Sequence, residues 1–276
     1  MISIVVFTLN EEVNLPRCLE SVRECDDVIV VDSFSSDRTC EIARSAGARV
    51  FQHGFTGFGD QRMWALETIE FRHPWILILD ADEQVTPPLW KEMVRRVTSC
   101  STETAAFRLK RRFYWEGCQL RRANLYPSWV VRLVRKGRVR FINRGHAETQ
   151  EVNGVVEALE EDLIDENRKG LQVWRERQRL YAEQEARYEA SLNCGLNPSD
   201  LSSSDPLVRR HALRTVARRL PARGLFYFVY AYFLQAGWVD GWTGLRFCWE
   251  KACFQQQVQR TARRLRAMAR ERQSQC

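Results

Sequence analysis

Two carboxylates stand one residue apart at the end of an apolar segment. Asp80 and Asp82 follow Trp75–Leu79 (WILIL), and Glu83 comes directly after them. Carboxylate oxygens suit hard cations such as Mg²⁺ and Mn²⁺, which usually keep positions open for phosphate oxygens. The pattern predicts a divalent metal site, with Asp80 and Asp82 as ligands, that neutralises charge on a phosphate-containing substrate. The alternative is a solvated turn in which an aspartate caps the next helix.

Short apolar strands and helical patterns alternate four times in the first 100 residues. The predicted strands are Ser3–Phe7, Asp27–Val31, Arg49–Phe51 and Trp75–Leu79. The predicted helices run from Asn10 to about Glu24, from Ser36 to Gly47, onward from Phe58, and from Pro87 to about Ser99. This alternation predicts an α/β fold of parallel βαβ units with helices on both faces of the sheet.

Polar residues follow three of these strands. Ligands of parallel sheets bind outside the carboxyl ends of the strands. We therefore expect the residues that follow the first, second and fourth strands to converge on one site. They are Thr8, Asn10, Glu11, Asp32, Asp80 and Asp82.

The pattern changes after residue 100. Residues 105–141 are rich in aromatic and basic side chains and predict short antiparallel strands. Residues 168–192 form a long helical pattern, and residues 193–206 are a linker rich in Ser, Asp, Pro and Gly.

Charge is distributed unevenly along the 276 residues. Residues 1–100 hold 10 Lys/Arg against 16 Asp/Glu, whereas residues 207–276 hold 14 against 3. The nine cysteines form no CxxC pair, which argues against a zinc ribbon or a thioredoxin-type site. Scattered cysteines and a first strand at the very start of the chain predict a cytoplasmic protein.

An aromatic segment lies within the basic last quarter. Gly224–Val239 contains no charged residue, and arginines precede it. Sixteen helical residues span about 24 Å, which is short of the ~30 Å hydrocarbon core of a bilayer. The segment predicts a helix in the interface of an anionic membrane, on the inner face of the cytoplasmic membrane. The alternative is a helix hairpin packed on the rest of the protein. A nucleic-acid partner is not expected, because no recognition module precedes the segment.

Several blocks carry a family resemblance. They read VVFTLNEEVNLPRCLESV, VVDSFSSDRTCEIARSAGARV, GFGDQRMWAL, WILILDADE, RRFYWEGCQLRRANLYPSWVVRLVRKGRVRF and FLQAGWVDGWTGL. In order and spacing they resemble family 2 glycosyltransferases of the GT-A fold, and the chain is similar to bacterial lipopolysaccharide-core glycosyltransferases. The resemblance implies a Rossmann-like mixed sheet flanked by helices, and the aromatic segment adds the expectation of a helical, membrane-associating extension at the C-terminus.

The resemblance also implies the roles of the residues at the strand ends. Thr8, Asn10 and Glu11 would border the nucleoside of a nucleotide sugar, with Glu11 on the ribose. Asp32 would accept a hydrogen bond from the base. Gln61 and Arg62 would lie beside the base and the phosphates. Asp80 would reach the ribose or the metal, and Asp82 would hold Mg²⁺ or Mn²⁺ on the diphosphate.

Sugar transfer with inversion needs a carboxylate that takes the proton from the acceptor hydroxyl. Within NRGHAETQEVNG, the resemblance points to Glu148 as this base, with Glu151 as the alternative. His146 would orient the acid or contact a phosphate. Arg121 and Arg132 would bind an acceptor that carries phosphate or a lipid diphosphate.

The chain is therefore expected to be a metal-dependent inverting glycosyltransferase with a lipid-linked or lipopolysaccharide-type acceptor. The alternatives are a nucleotidyltransferase of similar fold and a non-catalytic protein that binds anionic lipid or nucleic acid. The expected catalytic domain spans residues 1–166, with a donor half (1–100) and an acceptor half (101–166). A long helix (167–192), the linker (193–206) and a basic, aromatic helical extension (207–276) would follow.

Overall fold

The structure is a computed structural model that describes residues 1–145, 147–191, 198–202 and 221–274, together with positions 205, 209, 212, 215 and 216. The chain divides into two compact units, residues 1–171 and 172–276. The first unit ends close to the boundary predicted at residue 166. Most of the predicted linker lies outside the described residues.

The first half of unit 1 contains the predicted parallel strands. They are β1 (Ile2–Thr8), β2 (Val28–Asp32), β3 (Arg49–Gln52) and β4 (Trp75–Asp80), in the sheet order β3-β2-β1-β4. The helices that connect them are α1 (Leu15–Ser21), α2 (Thr39–Ser45) and α3 (Phe58–Thr68). All three pairings among these strands are parallel, as the alternating pattern predicts.

The second half of unit 1 extends the same sheet with strands of both directions. Its elements are β5 (Glu83–Val85), α4 (Pro87–Ser99), β6 (Thr104–Trp115), β7 (Cys118–Gln119), β8 (Ser128–Arg135) and β11 (Val155–Glu166). The order continues from β4 as β8-β6-β11-β5, and β8 is antiparallel to both of its neighbours. The predicted mixed α/β sheet flanked by helices is confirmed.

A separate antiparallel hairpin lies against α3. It consists of β9 (Val139–Arg144) and β10 (Ala147–Val152). Asn143 of β9 accepts a hydrogen bond from the backbone N–H of Gly59 at 2.8 Å. A Cβ on Gly59 would lie 2.8 Å from the backbone nitrogen of Asn143, so only glycine permits this approach. The hairpin is therefore held on the first turn of α3.

The central strands are buried on both faces. Ile4 and Val6 belong to one apolar core, and the alternating residues Val5 and Phe7 belong to the other. Successive side chains of a strand point to opposite faces, so a fully apolar strand needs cover on both sides. The continuous apolar segments in the sequence are explained by this double burial.

Helix α1 is shorter than predicted. It begins at Leu15 rather than near Asn10, and Asn10 has a positive φ of 53°. The side-chain oxygen of Asn10 accepts a hydrogen bond from the backbone N–H of Ser36 at 2.8 Å. This left-handed backbone prevents Asn10 from continuing into a helix. Asn10 connects the end of β1 to the loop after β2 instead.

Unit 2 is helical in its described parts. Its elements are α5 (Leu171–Ser191), a 3₁₀ turn (Pro198–Ser202), α6 (Arg223–Val229), a π-helical turn (Tyr230–Leu234), a second 3₁₀ turn (Gly237–Asp240) and α7 (Gly241–Ser274). The single helix predicted over Gly224–Val239 is therefore three short pieces. Among the described residues, no helix combines the length and the apolar character needed to cross a membrane.

Candidate active site

The carboxyl ends of β1, β2 and β4 meet at one edge of the sheet. Thr8 lies opposite Asp32 in the strand register, and Phe7 lies opposite Asp80. The hydroxyl of Thr8 donates to Asp32 Oδ1 at 3.0 Å. The convergence of strand ends that the βαβ pattern predicts is therefore present in the structure.

Asp32 is a fully buried anchor for the loop that follows β2. Its carboxylate accepts hydrogen bonds from the hydroxyl and the backbone N–H of Ser35, the latter at 2.9 Å, and from Gln52 at 3.3 Å. Burial raises the pKa of Asp32, but the hydrogen bonds from Ser35 outweigh it and lower that pKa. Both carboxylate oxygens are taken by protein donors. Asp32 thus has a structural role in this loop, and the hydrogen bond that it would accept from a base stays a prediction.

Gln61 supports the same loop from α3. It is buried and donates to the hydroxyl of Ser33 at 2.6 Å. Between Ser33 and Ser35, the side chain of Phe34 is 62% exposed and its φ is +61°. A bulky residue rarely adopts this backbone conformation, and such strain is concentrated at functional sites. Asp32 and Gln61 thus hold an exposed aromatic ring beside the strand ends.

Glu11 is buried near the end of β1 and pairs with a residue from a distant part of the chain. Lys169 Nζ lies 2.5 Å from Glu11 Oε1, and Asn14 donates to Glu11 Oε2 at 2.8 Å. Burial, followed by the charge of Asp82, raises the pKa of Glu11. Lys169 was absent from the sequence-based prediction, since no local pattern marks a lysine that lies after β11.

Asp80 is held between two buried arginines. Its Oδ1 lies 2.9 Å from Arg62 Nη2, and its Oδ2 lies 2.5 Å from Arg132 Nη2. Arg132 also pairs with Glu83 at 2.7 Å. Burial raises the pKa of Asp80, but Arg132 and then Arg62 lower it well below its usual range. Both oxygens of Asp80 are therefore engaged by arginines, and its role as a metal ligand stays a prediction.

The same network changes the interpretation of Arg132. Its guanidinium is buried, and burial lowers its pKa, but the charges of Asp80 and Glu83 raise it further than burial lowers it. Two carboxylates already neutralise Arg132 in this arrangement, and its predicted contact with the acceptor stays a prediction. The other predicted acceptor residue, Arg121, is exposed in the segment between β7 and β8.

Asp82 is half-buried and differs from Asp80. Its Oδ2 accepts one hydrogen bond, from Asn167 at 2.8 Å. Burial, followed by the charge of Asp82, raises the pKa of Asp165 well above its usual range. Asp82 thus acts electrostatically on Glu11 and Asp165, which pair with Lys169 and Arg111 respectively. Within the described parts of the chain, however, no three His, Cys, Asp or Glu side chains form a metal-binding group. The protein would supply Asp82, and a metal would need further ligands from a substrate.

Glu148 lies on β10 and reaches the network through Arg62. The two side chains form an ion pair, and both are largely buried. Burial lowers the pKa of Arg62 to about 10, so Arg62 remains charged at neutral pH. Arg62 therefore bridges Asp80 and Glu148, and its place beside the base and the phosphates stays a prediction. The alternative base, Glu151, is exposed on the same strand. His146 lies outside the described residues.

The chain is similar to several known proteins. Residues 3–128 match the family described as glycosyl transferase family 2. The chain is 32% identical to the lipopolysaccharide core biosynthesis glycosyltransferase LpsC of Rhizobium meliloti over 145 residues, which are 51% of this chain and 53% of LpsC. It is 42% identical over 93 residues to an uncharacterized glycosyltransferase of Rickettsia bellii, covering 33% of this chain and 31% of that protein.

Among solved structures, S. aureus TarS 1–349 aligns with a TM-score of 0.47 and 14% identity, covering 96% of this chain and 91% of TarS 1–349. The chain thus spans about half the length of LpsC and a third of the Rickettsia protein. The matched region contains the strand ends at Thr8, Asp32, Asp80 and Asp82. Residues 3–128 of this chain are therefore similar to glycosyl transferase family 2.

Proposed function

We propose that the protein is an inverting glycosyltransferase that moves a sugar from a nucleotide-sugar donor to a lipid-linked or lipopolysaccharide-type glycan. The observation that carries the proposal is the bridge formed by Arg62. This residue joins Asp80, at the end of β4, to Glu148, on the hairpin beside α3. Arg62 thus has the end of β4 on one side and Glu148 on the other. The strand end suits a phosphate-bearing donor, and the carboxylate of Glu148 suits proton transfer.

Glu148 is the proposed general base. In an inverting transfer the acceptor hydroxyl attacks the anomeric carbon from the face opposite the diphosphate, and a carboxylate takes the hydroxyl proton. Arg62 orients Glu148 through their ion pair. Arg62 is in turn fixed by Asp80, which Arg132 holds from the other side. The roles of Glu11 on the ribose, and of Thr8 and Asn10 beside the nucleoside, complete the proposed donor site.

Asp82 is the proposed protein ligand of a divalent cation. Its carboxylate lies in the turn after β4 and contacts the amide of Asn167 rather than an arginine or lysine, which supports a cation at this point. Mg²⁺ is commonly bound by one or two carboxylates together with phosphate oxygens of the substrate. When bound, such a cation would neutralise negative charge on the diphosphate leaving group.

The acceptor and the cellular location follow from the relatives and from charge. One relative is named for lipopolysaccharide core biosynthesis. Arg121 is exposed in the half of unit 1 where the acceptor is expected, and a guanidinium pairs well with phosphate. We therefore propose that the acceptor carries a phosphate or a lipid diphosphate. The protein would bind it at the inner face of the cytoplasmic membrane.

The proposal is tested by mass spectrometry of the acceptor. The full chain is incubated with Mn²⁺, a panel of nucleotide sugars, and lipopolysaccharide-core or lipid-linked acceptors. We expect one donor to add the mass of one sugar to an acceptor and to release a nucleoside diphosphate. Addition of a nucleoside monophosphate would identify a nucleotidyltransferase instead, and unchanged acceptors across the panel would contradict the proposal.

A further inference from the structure

Helix α6 and the π-helical turn after it expose two rows of large apolar side chains. Leu225, Val229 and Phe233 form one row with a spacing of four residues. The second row, one position later, is Phe226, Tyr230 and Leu234. All six side chains are exposed, and Leu234 is 77% exposed. Residues four apart lie on the same side of a helix, so the two rows form one apolar face.

The opposite side of this segment packs on α7 through small residues. A Cβ on Gly224 would lie 2.6 Å from the carbonyl oxygen of Ala252. A Cβ on Gly237 would lie 2.9 Å from Cys248 Sγ, and Ala231 is buried. The close approach leaves no space for a side chain at Gly224 and Gly237. The six residues of the two rows lie away from these contacts.

The exposed face continues onto α7. Trp238 and Val239 are exposed just before the helix, and Trp242 and Trp249 are exposed in its first turns, at 72% and 60%. Two exposed arginines, Arg260 and Arg264, follow on the same helix. Trp242, Trp249, Arg260 and Arg264 are separated by 7, 11 and 4 residues, close to whole numbers of turns at about 3.6 residues per turn. They therefore lie along one line of the helix surface.

We infer that this face of unit 2 docks on the surface of a bilayer that contains anionic lipid. We call it the aromatic face, defined as the two rows on α6 and the π-helical turn together with Trp238, Trp242 and Trp249. Tryptophan and tyrosine side chains suit the boundary between headgroups and acyl chains. Residues 221–274 hold nine Lys/Arg against three Asp/Glu, which complements an anionic leaflet. The inference identifies the surface of the protein that would contact the membrane at the proposed location. Its test does not depend on sugar transfer.

The test is co-sedimentation of the full chain with vesicles of phosphatidylethanolamine and phosphatidylglycerol, compared with vesicles of phosphatidylcholine. We expect binding to the anionic vesicles and weaker binding at high salt. In the double variant Phe226→Ser/Phe233→Ser, each substitution should lower the partition coefficient onto vesicles about tenfold. In the double variant Arg260→Gln/Arg264→Gln, each substitution should lower the partition coefficient about fivefold, and only on anionic vesicles. All four residues are exposed, so both variants should keep the wild-type circular dichroism spectrum and melting temperature.

Val94→Ser is the matched control, because it makes an exposed apolar residue polar on a helix of unit 1. It should bind vesicles as the wild type does. Vesicle binding that is unchanged in the Phe226→Ser/Phe233→Ser variant would overturn the inference. So would a wild-type chain that ignores anionic vesicles. A dimer that dissociates in this variant, without vesicle binding, would assign the face to a second copy and likewise overturn it.

Discussion

Arg62 of α3 forms an ion pair with Glu148 of β10. The contact fixes the hairpin that carries Glu148 to the edge of the sheet where β1, β2 and β4 end. Arg62 also binds Asp80, so the strand end and the hairpin share one buried cation. In the proposed enzyme this arrangement would set the distance between the donor and the base.

Glu148→Gln is expected to lower transfer by at least about a hundredfold while donor binding stays within about threefold of wild type. The amide keeps the shape of the side chain but cannot accept the acceptor proton. Transfer is followed by product mass, and donor binding by calorimetry. Glu151→Gln is the control, because Glu151 is exposed on the same strand. If Glu148→Gln transfers normally and Glu151→Gln does not, the base is Glu151.

Gly59→Ala should reduce transfer more than it reduces donor binding. The added Cβ would lie 2.8 Å from the backbone of Ile142 and Asn143, so the hairpin would have to move and take Glu148 with it. Gly54→Ala is the control, since its Cβ would meet Phe34 only at an ordinary 3.9 Å. We expect a fall in the rate constant for transfer in Gly59→Ala and none in Gly54→Ala. Equal rates in the two variants would show that the hairpin does not position the base.

Phe34→Gly should raise stability and weaken donor binding at the same time. Glycine removes the cost of the positive φ, which is about 1 kcal/mol, but also removes an exposed ring on which a nucleobase can stack. Glu116→Gly removes a similar positive φ in the turn between β6 and β7 and should raise stability only. The measurements are the midpoint of urea unfolding and the dissociation constant for the donor. Undiminished donor binding in Phe34→Gly would exclude the stacking role.

Asp27→Asn should destabilise the protein by about 2 kcal/mol near neutral pH. Asp27 is buried and accepts hydrogen bonds from Ser3 at 2.5 Å, from the backbone N–H of Arg72 at 2.9 Å and from Arg49 at 2.7 Å. Burial raises the pKa of Asp27, but these partners outweigh it and lower that pKa.

The lowered pKa sets the pH dependence of this effect. The stability that ionised Asp27 contributes is fully present above the unfolded-state pKa of about 3.9, and it is lost as the pH falls through the folded-state value. The difference in unfolding free energy between wild type and Asp27→Asn should therefore shrink below about pH 4. Chemical unfolding over a pH series measures it. A difference that grows towards acid would contradict the assignment.

The four parallel strands could be predicted because each is a short, β-branched apolar segment that is buried on both faces. The convergence of Thr8, Asp32 and Asp80 followed from the parallel arrangement alone. Asp32 was predicted at the site by the same topology, and Arg132 was predicted beside an acceptor, but the contacts that the two side chains make within the protein were not predicted. Their partners, Ser35 and Glu83, are chosen by side-chain packing, which a one-dimensional pattern does not encode.

Long-range pairing explains the features that the sequence did not predict. Lys169 and Asn167 reach Glu11 and Asp82 only because β11 pairs with the short strand β5, which has no periodicity of its own. The predicted helix over Gly224–Val239 is interrupted because Gly237 packs closely against the side chain of Cys248, and Ala236 before it has a positive φ. Apolar composition alone favours a continuous helix there.

The central claim is that Asp82, in the turn between β4 and β5, takes part in binding a nucleotide sugar through a divalent cation. The direct measurement is calorimetric binding of the nucleotide sugar in the presence of Mn²⁺, for wild type, Asp82→Ala and the exposed-acid control Asp60→Ala. We predict that Asp82→Ala binds the donor at least about tenfold more weakly and loses the dependence on Mn²⁺, whereas Asp60→Ala equals wild type. Equal affinity in Asp82→Ala and wild type, or a wild-type chain that binds no nucleotide sugar, would contradict the account.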